Sequence, residues 1–488
     1  MKKTVLLLLA SLLVLVGVIT INTINFSKDL EPRLVDKVQV QLDERAAIQR
    51  FAKSLTFPSI SYTDPALFPT GDFVALRQYL SESFPRVFAQ LETEDVSEFS
   101  YLMKWPGSNP QLKPILLLSH MDVVPVIPGT ENEWTHPPFG GVVASGAVWG
   151  RGAIDDKAGV LGILEATETL LAQGFAPSRT VYLAFGHDEE VGGQQGAKKI
   201  ADLLQTRGVT LEFVLDEGGL ITDGVVDGID APVAVIGPGE KGILSLRLIA
   251  AGPGGHSSQP LEYTAAGLVA RAVYRLEENP FPIDLSYLSQ FIHNLGSELP
   301  LLQRVVFANT WLFEPFAHRM FSGNSVALAS ARTTTAPTML KASIKENVLP
   351  IQAEAVVNFR ILPGDSVQGV IDRVKTIIDD DSIEIERYGF WSEPSEMAST
   401  ESFGYEQLSL SIAQVIPNKD IVIVPRLVIG ATDARHFSQI SENSYRFMGI
   451  TVGKEELKGF HGTNERVPED SYINAVKIYL QLIRNAAG

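Results

Sequence analysis

Short apolar runs that alternate with helical patterns are the feature that most constrains the fold of this chain. Four runs rich in β-branched and aromatic residues are typical of strands buried on both faces of a sheet: Ile115–Leu118, Thr180–Phe185, Leu211–Leu215 and Val233–Ile236. Helical patterns lie between them, at Lys157–Ala172 and Gln195–Gln205. Because strands and helices alternate, we predict an α/β fold whose mostly parallel sheet carries helices on both faces.

A second pattern begins after Lys241 and has the order βαββαβ, which is typical of a ferredoxin-like domain. Its elements are predicted at Ile243–Ala250, Tyr263–Leu276, Lys341–Ile361 (a broken pair of strands), Ser366–Ile378 and Ile383–Tyr388. Aromatic-rich residues 280–335 interrupt it, either as extra helices or as the lining of an apolar pocket. We therefore predict that residues 243–395 form a separate domain, inserted into a catalytic domain made of residues 28–242 and 396–488.

The N-terminal residues 1–27 form a targeting segment. Lys2 and Lys3 precede an uncharged apolar run from Thr4 to Ile21, and these 18 residues are near the lower limit for crossing a bilayer. No Ala-x-Ala cleavage site follows, so an uncleaved membrane anchor and a cleaved export signal both stay open. Because the lysines should remain cytoplasmic, the rest of the chain is predicted to lie outside the cytoplasm, anchored to the membrane, secreted or periplasmic.

Charge and cysteine content exclude several function classes. The 57 acidic and 40 basic residues give a net charge of −17, which repels polyphosphate and argues against a nucleic-acid partner. The chain has no cysteine, which excludes disulfides, thiolate metal sites and a cysteine nucleophile. Any metal must therefore bind to histidine and carboxylate ligands.

Acids and histidines follow the predicted strands at the point where each strand ends. They are His120 and Asp122 after the first strand, Asp188, Glu189 and Glu190 after the second, and Asp216 after the third. Asp155 and Asp156 stand between glycines and a predicted helix. A single such acid is usually a helix cap, but several acids at one sheet edge repel each other unless a cation gathers them. Mixed histidine and carboxylate ligands suit zinc, or else cobalt or manganese.

Six motifs together resemble the co-catalytic zinc exopeptidase family, which includes aminoacylase and carboxypeptidase S. They are Ser119–Asp122, Gly150–Asp155, Asp188–Glu190, Asp216–Gly218, Gly255–Ser258 and Gly459–Gly462. The resemblance runs from about Phe51 to the C-terminus. Within the family, Trp134–Phe139 and Phe185–Glu190 are most similar to carboxypeptidase S and the secreted N-fatty-acyl-amino-acid synthase/hydrolase.

The resemblance implies a site with two divalent metal ions, bridged by Asp155. His120 and Asp216 would complete the protein ligands of one ion, and Glu190 and His461 those of the other. Asp122 would hold His120 in its binding orientation, and Glu189 would be the general base. His256, in the inserted domain, would donate to the oxyanion. Arg435 and Arg360 would grip a substrate carboxylate or line the lid, and Asn347 would be a lid residue near the substrate.

The expected activity is therefore cleavage of the amide bond of N-acyl amino acids, or of peptides with a free C-terminal carboxylate. The inserted domain would act as a lid. The resemblance implies that it can also pair two subunits in a homodimer, unless residues 280–335 cover that edge and leave a monomer. Two alternatives from other classes stay open: an aminopeptidase, which needs acidic groups to hold a free amine, and a non-catalytic relative that keeps the fold as a binding module.

Overall fold

The structure, a computed structural model, describes residues 2–26, 35–321, 325–417 and 421–488. The predicted boundary between residues 27 and 28 lies outside these residues. The first described element is one long helix, Lys2–Asn25, which is long and apolar enough to cross a membrane and has none of its apolar window buried in the protein.

The core sheet has six strands, of which four adjacent ones are parallel. In sheet order they are Glu92–Val96, Ser100–Trp105, Val181–Gly186, Ile115–His120, Phe213–Asp216 and Ser444–Arg446. The first two pair antiparallel at one edge, and the other four pair parallel. The predicted mostly parallel sheet is thus confirmed, and the strand from the C-terminal segment completes it.

Helices cover both faces of the core sheet. Alternate residues of a strand point to opposite sides, so each buried strand presents apolar side chains to the helices on both faces. Ile115 and Leu117 pack into the larger cluster, with helices Glu44–Ser54, Thr70–Ser83, Pro85–Gln90, Ala158–Ala172, Phe403–Val415 and Glu469–Ala487. Leu116 and Leu118 face the other way, onto helix Ala197–Thr206. The two predicted helices are therefore present, one on each face.

The fourth predicted strand exists with its predicted bounds but does not join the core sheet. Val233–Ile236 lies in a second sheet, in the order Val422–Pro425, Val233–Ile236, Ile221–Thr222, Thr451–Val452. The strand Ser444–Arg446 occupies the side of Phe213–Asp216 that the next strand along the chain would otherwise have taken. A third sheet contains Val142–Ala144, Ala147–Trp149 and Arg466–Pro468.

The segment after Lys241 forms an antiparallel sheet in the order Thr334–Lys341, Gln352–Ile361, Gly242–Ala251, Ile383–Arg387. In chain order these are the second, third, first and fourth strands, as in a ferredoxin-like unit, and helices Ala265–Glu278 and Val367–Ile378 pack on it. We call it the inserted unit. The prediction that its strand pair begins at Lys341 was wrong: the first strand ends there. Thr334–Lys341 is a largely exposed edge strand, so it has no apolar run to mark it.

Most of residues 280–335 form extra helices, and Thr334 and Thr335 begin the edge strand of that sheet. The helices are Ser286–Leu295, Leu301–Ala308, Thr310–Phe321 and Ser325–Ala331. Leu288 and Ile292 of the first helix pack against Val233 and Val424 of the second sheet. The helices are therefore joined to the second sheet, and Leu301–Ala308 also contacts the N-terminal helix.

Candidate active site

The carboxyl ends of three neighbouring parallel strands place the predicted site residues at one edge of the core sheet. The strand ending at His120 lies between the strands ending at Gly186 and Asp216, and His120 pairs in register with Gly186. The turn after Gly186 carries Glu189 and Glu190. This is the edge at which open α/β sheets bind their ligands.

Asp155 lies between two histidines, with one carboxylate oxygen facing each of them. Its Oδ1 is 2.9 Å from His120 Nε2, and its Oδ2 is 2.8 Å from His461 Nε2. Burial alone would raise the pKa of Asp155, but the hydrogen bonds from the two histidines lower it well below its usual range. A carboxylate that presents one oxygen to each of two histidines has the arrangement expected of a bridging metal ligand.

Glu190 joins this group. His120, Asp155 and Glu190 offer ligand atoms that all lie within 4.8 Å of one another. Glu190 Oε2 is 3.5 Å from His461 Nε2, whereas its Oε1 is buried without a hydrogen-bond partner among the described residues. Burial, followed by the charge of Asp155, raises the pKa of Glu190 to about 7. A buried oxygen without a donor beside two histidines fits a metal ion.

Asp122 is fully buried and fixes both His120 and the turn that carries the two glutamates. His120 Nδ1 donates to the Asp122 carbonyl oxygen at 3.0 Å, which leaves His120 Nε2 facing Asp155. The Asp122 carboxylate accepts hydrogen bonds from the backbone N–H groups of Glu189 and Glu190, each at 3.1 Å, and from Ser61 Oγ at 2.6 Å. Asp122 thus has the contacts of a residue that orients a metal ligand.

The adjacent side chains of Glu189 and Glu190 diverge. Glu190 faces His461, whereas Glu189 Oε1 lies 3.6 Å from Arg435 Nη1. Burial, followed by the charge of Asp433, raises the pKa of Glu189 well above its usual value. A carboxylate with a raised pKa beside the predicted metal ligands can hold a proton, as a general base must after it has accepted one.

Asp216 lies at the end of the neighbouring strand, where its Oδ2 accepts a hydrogen bond from Ala434 N–H at 2.6 Å. Among the described residues, the group within 4.8 Å contains His120, Asp155 and Glu190 but not Asp216. The role of Asp216 as a ligand therefore stays a prediction.

Two arginines flank Glu189, one from the core and one from the inserted unit. Arg435 donates to the Thr432 carbonyl oxygen at 2.6 Å and lies over the Phe390 ring at 5.2 Å. Arg360 lies on the strand Gln352–Ile361, and burial lowers its pKa. The charge of Glu189 raises the pKa of Arg360, and the charge of Arg435 lowers it. The inserted unit therefore brings a second guanidinium to the site.

His256 and Asn347 lie together on an exposed part of the inserted unit. The two-residue strand Gly255–His256 pairs with Val348–Leu349, and Ser257 N–H donates to the Asn347 carbonyl oxygen at 3.1 Å. Ser258 N–H donates to His256 Nδ1 at 3.2 Å, so the ring proton belongs on Nε2, which is then a donor. The hydrogen bonds described for both residues are with the inserted unit.

An ion pair that the sequence did not indicate connects the loops of Asp155 and His461. Glu465 is fully buried, and its carboxylate accepts a hydrogen bond from Arg151 Nη1 at 2.5 Å. It also accepts hydrogen bonds from the backbone N–H groups of Gly152 at 3.0 Å, Ile154 at 2.7 Å and Asp155 at 3.2 Å. Arg151 Nη2 donates to the Gly462 carbonyl oxygen at 2.8 Å. Arg151 stands inside a recognised motif and Glu465 four residues after His461, but one sequence has no pattern that pairs them.

Two more buried acids, Asp156 and Asp433, also surround the site. Asp156 accepts from Ser119 Oγ and from His120 N–H. Asp433 is 1% exposed, and neither of its carboxylate oxygens has a hydrogen-bond partner in the described part of the chain. Burial raises the pKa of Asp433 well above its usual value, and the charge of Asp216 raises it further. The sequence indicated Asp156 as an acid beside a predicted helix but gave it no role, and it gave no signal for Asp433.

Comparison with known proteins agrees with this geometry. The sequence profile described as Peptidase family M20/M25/M40 matches residues 116–485. The chain is 38% identical over 489 residues to the probable carboxypeptidase S-like 2 of Dictyostelium discoideum, covering 98% of this chain and 92% of that protein. It is also 38% identical over 454 residues to the N-fatty-acyl-amino acid synthase/hydrolase of Mus musculus, covering 92% and 89%.

The fold is also that of solved structures. An M20 family metallo-carboxypeptidase from Sulfolobus solfataricus superposes with a TM-score of 0.66 at 19% identity, covering 90% of this chain and 98% of that one. Human carnosine dipeptidase 1 superposes with a TM-score of 0.59 at 16% identity, covering 91% and 97%. The predicted resemblance is confirmed: this chain belongs to peptidase family M20/M25/M40.

Proposed function

We propose that this chain is a metal-dependent amidohydrolase that cleaves N-acyl amino acids, or peptides with a free C-terminal carboxylate. One observation carries the proposal: the Asp155 carboxylate lies between His120 and His461, with Glu189 and two arginines beside them. The relatives named carboxypeptidase S-like and N-fatty-acyl-amino acid synthase/hydrolase support the same two substrate classes.

We assign two divalent ions to the site, zinc in the first instance, with cobalt or manganese as alternatives. His120, Asp155 and Asp216 would hold one ion, and Asp155, Glu190 and His461 the other. When bound, such ions polarise an amide carbonyl and lower the pKa of a water molecule. The proposed ligand set is built only of imidazole and carboxylate groups, which suits these metals.

Glu189 is the proposed general base. Its side chain points away from Glu190 and lies beside Arg435, so it is not needed as a metal ligand and would take a proton from the attacking water and return it to the leaving amine. Asp122 holds the backbone of both glutamates and so keeps this division of roles.

Arg435 and Arg360 are the proposed carboxylate grip. Arg435 lies 3.6 Å from Glu189 and 3.9 Å from Asp433 without a hydrogen bond to either carboxylate, so its fork is available for bidentate hydrogen bonds to a substrate carboxylate. An aminopeptidase would need acidic groups at this position instead, so the two arginines favour a substrate with a free carboxylate. The intact metal group and Glu189 argue against a non-catalytic binding role.

The inserted unit, residues 243–395, is proposed as a lid and dimerisation domain. The charges of Glu189 and Arg435 affect the pKa of Arg360, which supports its approach to the site within one chain, whereas His256 and Asn347 lie on an exposed strand pair of the same unit. Closure of the unit, or its approach from a second subunit, would bring the His256 Nε2 proton to the forming oxyanion.

A substrate screen tests the proposal. Purified chain is assayed against N-acyl amino acids and dipeptides, each compared with the same compound carrying a C-terminal carboxamide, before and after chelation and metal restoration. We expect hydrolysis of the free acids, loss with chelator, recovery with metal, and poor turnover of the carboxamides. Equal turnover of acids and carboxamides would contradict the arginine grip, and full activity after exhaustive chelation would contradict the metal mechanism.

A further inference from the structure

Two helices of the 280–335 segment, which contact each other, carry a set of exposed apolar side chains, which we call the apolar face. It consists of Leu301, Leu302, Trp311, Leu312, Phe316 and Met320. Leu302, Trp311 and Phe316 are 73%, 61% and 62% exposed. The helix Thr310–Phe321 is kinked at Phe313, and beyond the kink Phe316 and Met320 are four residues apart, so these two lie on one side of it. Soluble proteins rarely expose apolar side chains together in this way.

The apolar face adjoins the outer end of the N-terminal helix. Asn309, which separates the two helices and is fully buried, accepts a hydrogen bond from Asn22 Nδ2 at 2.9 Å. Asn309 Nδ2 donates to Thr23 Oγ1 at 3.3 Å and to the Ile19 carbonyl oxygen at 3.4 Å. These bonds fix the depth of Asn309 relative to the N-terminal helix.

That depth is the outer boundary of a bilayer. The uncharged run Thr4–Ile21 has 18 residues and, at 1.5 Å per residue, is about 27 Å long, close to the thickness of the hydrocarbon core. With Lys2 and Lys3 on the cytoplasmic side, the hydrocarbon ends near Ile21, which lies within the stretch from Ile19 to Thr23 that Asn309 contacts. Helices that leave Asn309 in both chain directions therefore begin at the membrane–water interface.

We propose that the apolar face binds the lipid bilayer as a second membrane contact, lying in the plane of the outer interface beside the N-terminal helix. Trp311 stands where tryptophan is enriched in membrane proteins, and the leucines and Phe316 would enter the upper acyl region. The proposal rests on the N-terminal helix being retained as an anchor. Because helix Ser286–Leu295 of the same segment packs on Val233 and Val424, the contact fixes the orientation of the catalytic body above the membrane.

The absence of cysteine allows a direct test on the full chain. Single-cysteine variants Leu302→Cys and Phe316→Cys, with Ile344→Cys as a control that is 99% exposed in a loop of the inserted unit, are labelled with a nitroxide and reconstituted in lipid nanodiscs. We expect the labels at 302 and 316 to collide with oxygen, which concentrates in lipid, and to lose access to a water-soluble nickel complex. The label at 344 should show the reverse.

Three results would overturn the proposal. The first is a nickel accessibility at 302 and 316 equal to that at 344. The second is spin–spin broadening at 302 that disappears when labelled chain is diluted with unlabelled chain, which would show that a second copy covers the apolar face. The third is a mature chain, identified by its mass after expression in membranes, that begins after residue 26.

Tryptophan quenching gives the same test without cysteine if a labelled variant fails to fold. Lipids brominated in the upper acyl chain should quench the full chain, and Trp311→Phe should lose that quenching while Trp391→Phe, a control 41% exposed in the original chain, retains it. Equal quenching of both variants would overturn the proposal. These readouts involve no catalysis, so their failure is separate from failure of the proposed activity.

Discussion

The ion pair between Arg151 and Glu465 gives a prediction that separates folding from metal binding. We consider Glu465→Gln, which keeps the size of the side chain and one oxygen that can accept from the N–H groups of Ile154 and Asp155, whereas the oxygen that accepts from Arg151 and Gly152 N–H becomes an amide nitrogen. The substitution removes the charge opposite Arg151, which is 2% exposed. Breaking a buried ion pair by removing one partner costs about 3–5 kcal/mol, because the other charge stays buried without compensation.

The same substitution should weaken metal binding. Arg151 connects Glu465 to the carbonyl oxygens of His461 and Gly462, so the pair joins the loop of one proposed ligand to the loop of another. Loss of a partner that orients metal ligands typically weakens metal affinity about 10–100-fold. We therefore expect Glu465→Gln to lower both the unfolding free energy and the metal affinity.

Denaturant unfolding of the metal-free chain measures the first effect, because bound metal would itself shift the unfolding equilibrium. Competition with a chromophoric chelator measures the second. The double variant Arg151→Met/Glu465→Gln removes the unpaired charge and should recover most of the unfolding free energy, whereas its metal affinity should stay weak because the link to Gly462 is gone. Glu455→Gln, which breaks an exposed pair with Lys458, is the matched control and should change neither quantity measurably.

Two outcomes would refute this reasoning. If Glu465→Gln bound metal as tightly as the original chain, the pair would not position the ligands. If the double variant recovered metal affinity together with stability, the weaker binding of Glu465→Gln would reflect general destabilisation alone.

The remaining predictions concern the metals and the catalytic groups. Elemental analysis of active chain should find two equivalents of transition metal, and fewer than one would contradict the two-metal assignment. Glu189→Gln should keep its metal and lose about 10²–10⁴-fold in kcat, whereas Glu190→Gln should lose one metal. Equal metal loss in both variants would contradict the assigned roles. His256→Ala should lower kcat about 10²–10³-fold with unchanged metal content, and near-normal kcat would exclude an oxyanion role. Arg435→Lys, which keeps the charge but not the bidentate fork, should raise KM for free acids and leave carboxamide turnover unchanged, as measured by parallel steady-state kinetics.

Features that depend on local sequence were predictable. The strands ending at His120 and Asp216 are apolar runs followed by polar residues. A continuous apolar run is typical of a parallel strand buried on both faces, so it marks these strands without any knowledge of the rest of the chain. The edge strand Thr334–Lys341 gave no such pattern because most of its residues are exposed. The sheet that Val233–Ile236 joins was not predictable, because it depended on which later strand paired with Phe213–Asp216.

Features that depend on distant pairings were not predictable from one sequence. Arg151 and Glu465 are 314 positions apart, and Asn22 and Asn309 are 287 apart. No periodicity connects such residues, since their contact is a consequence of the whole fold. The buried oxygens of Asp433 are a further case, because an acid beside a glycine-rich turn is indistinguishable by sequence from a solvated one.

The division of the site between the core and the inserted unit has a consequence for specificity. The proposed metal ligands all come from the core, but the two arginines come one from each part, and like charges at close range repel. Glu189 lies near both guanidinium groups and offsets that repulsion in the free chain. A substrate carboxylate between the arginines would take over this task and leave Glu189 free to accept a proton. One coupled event would then bind the substrate carboxylate, bring the inserted unit closer and release Glu189 as the base. A substrate without a carboxylate should therefore be a poor one, even where its amide fits the metal site.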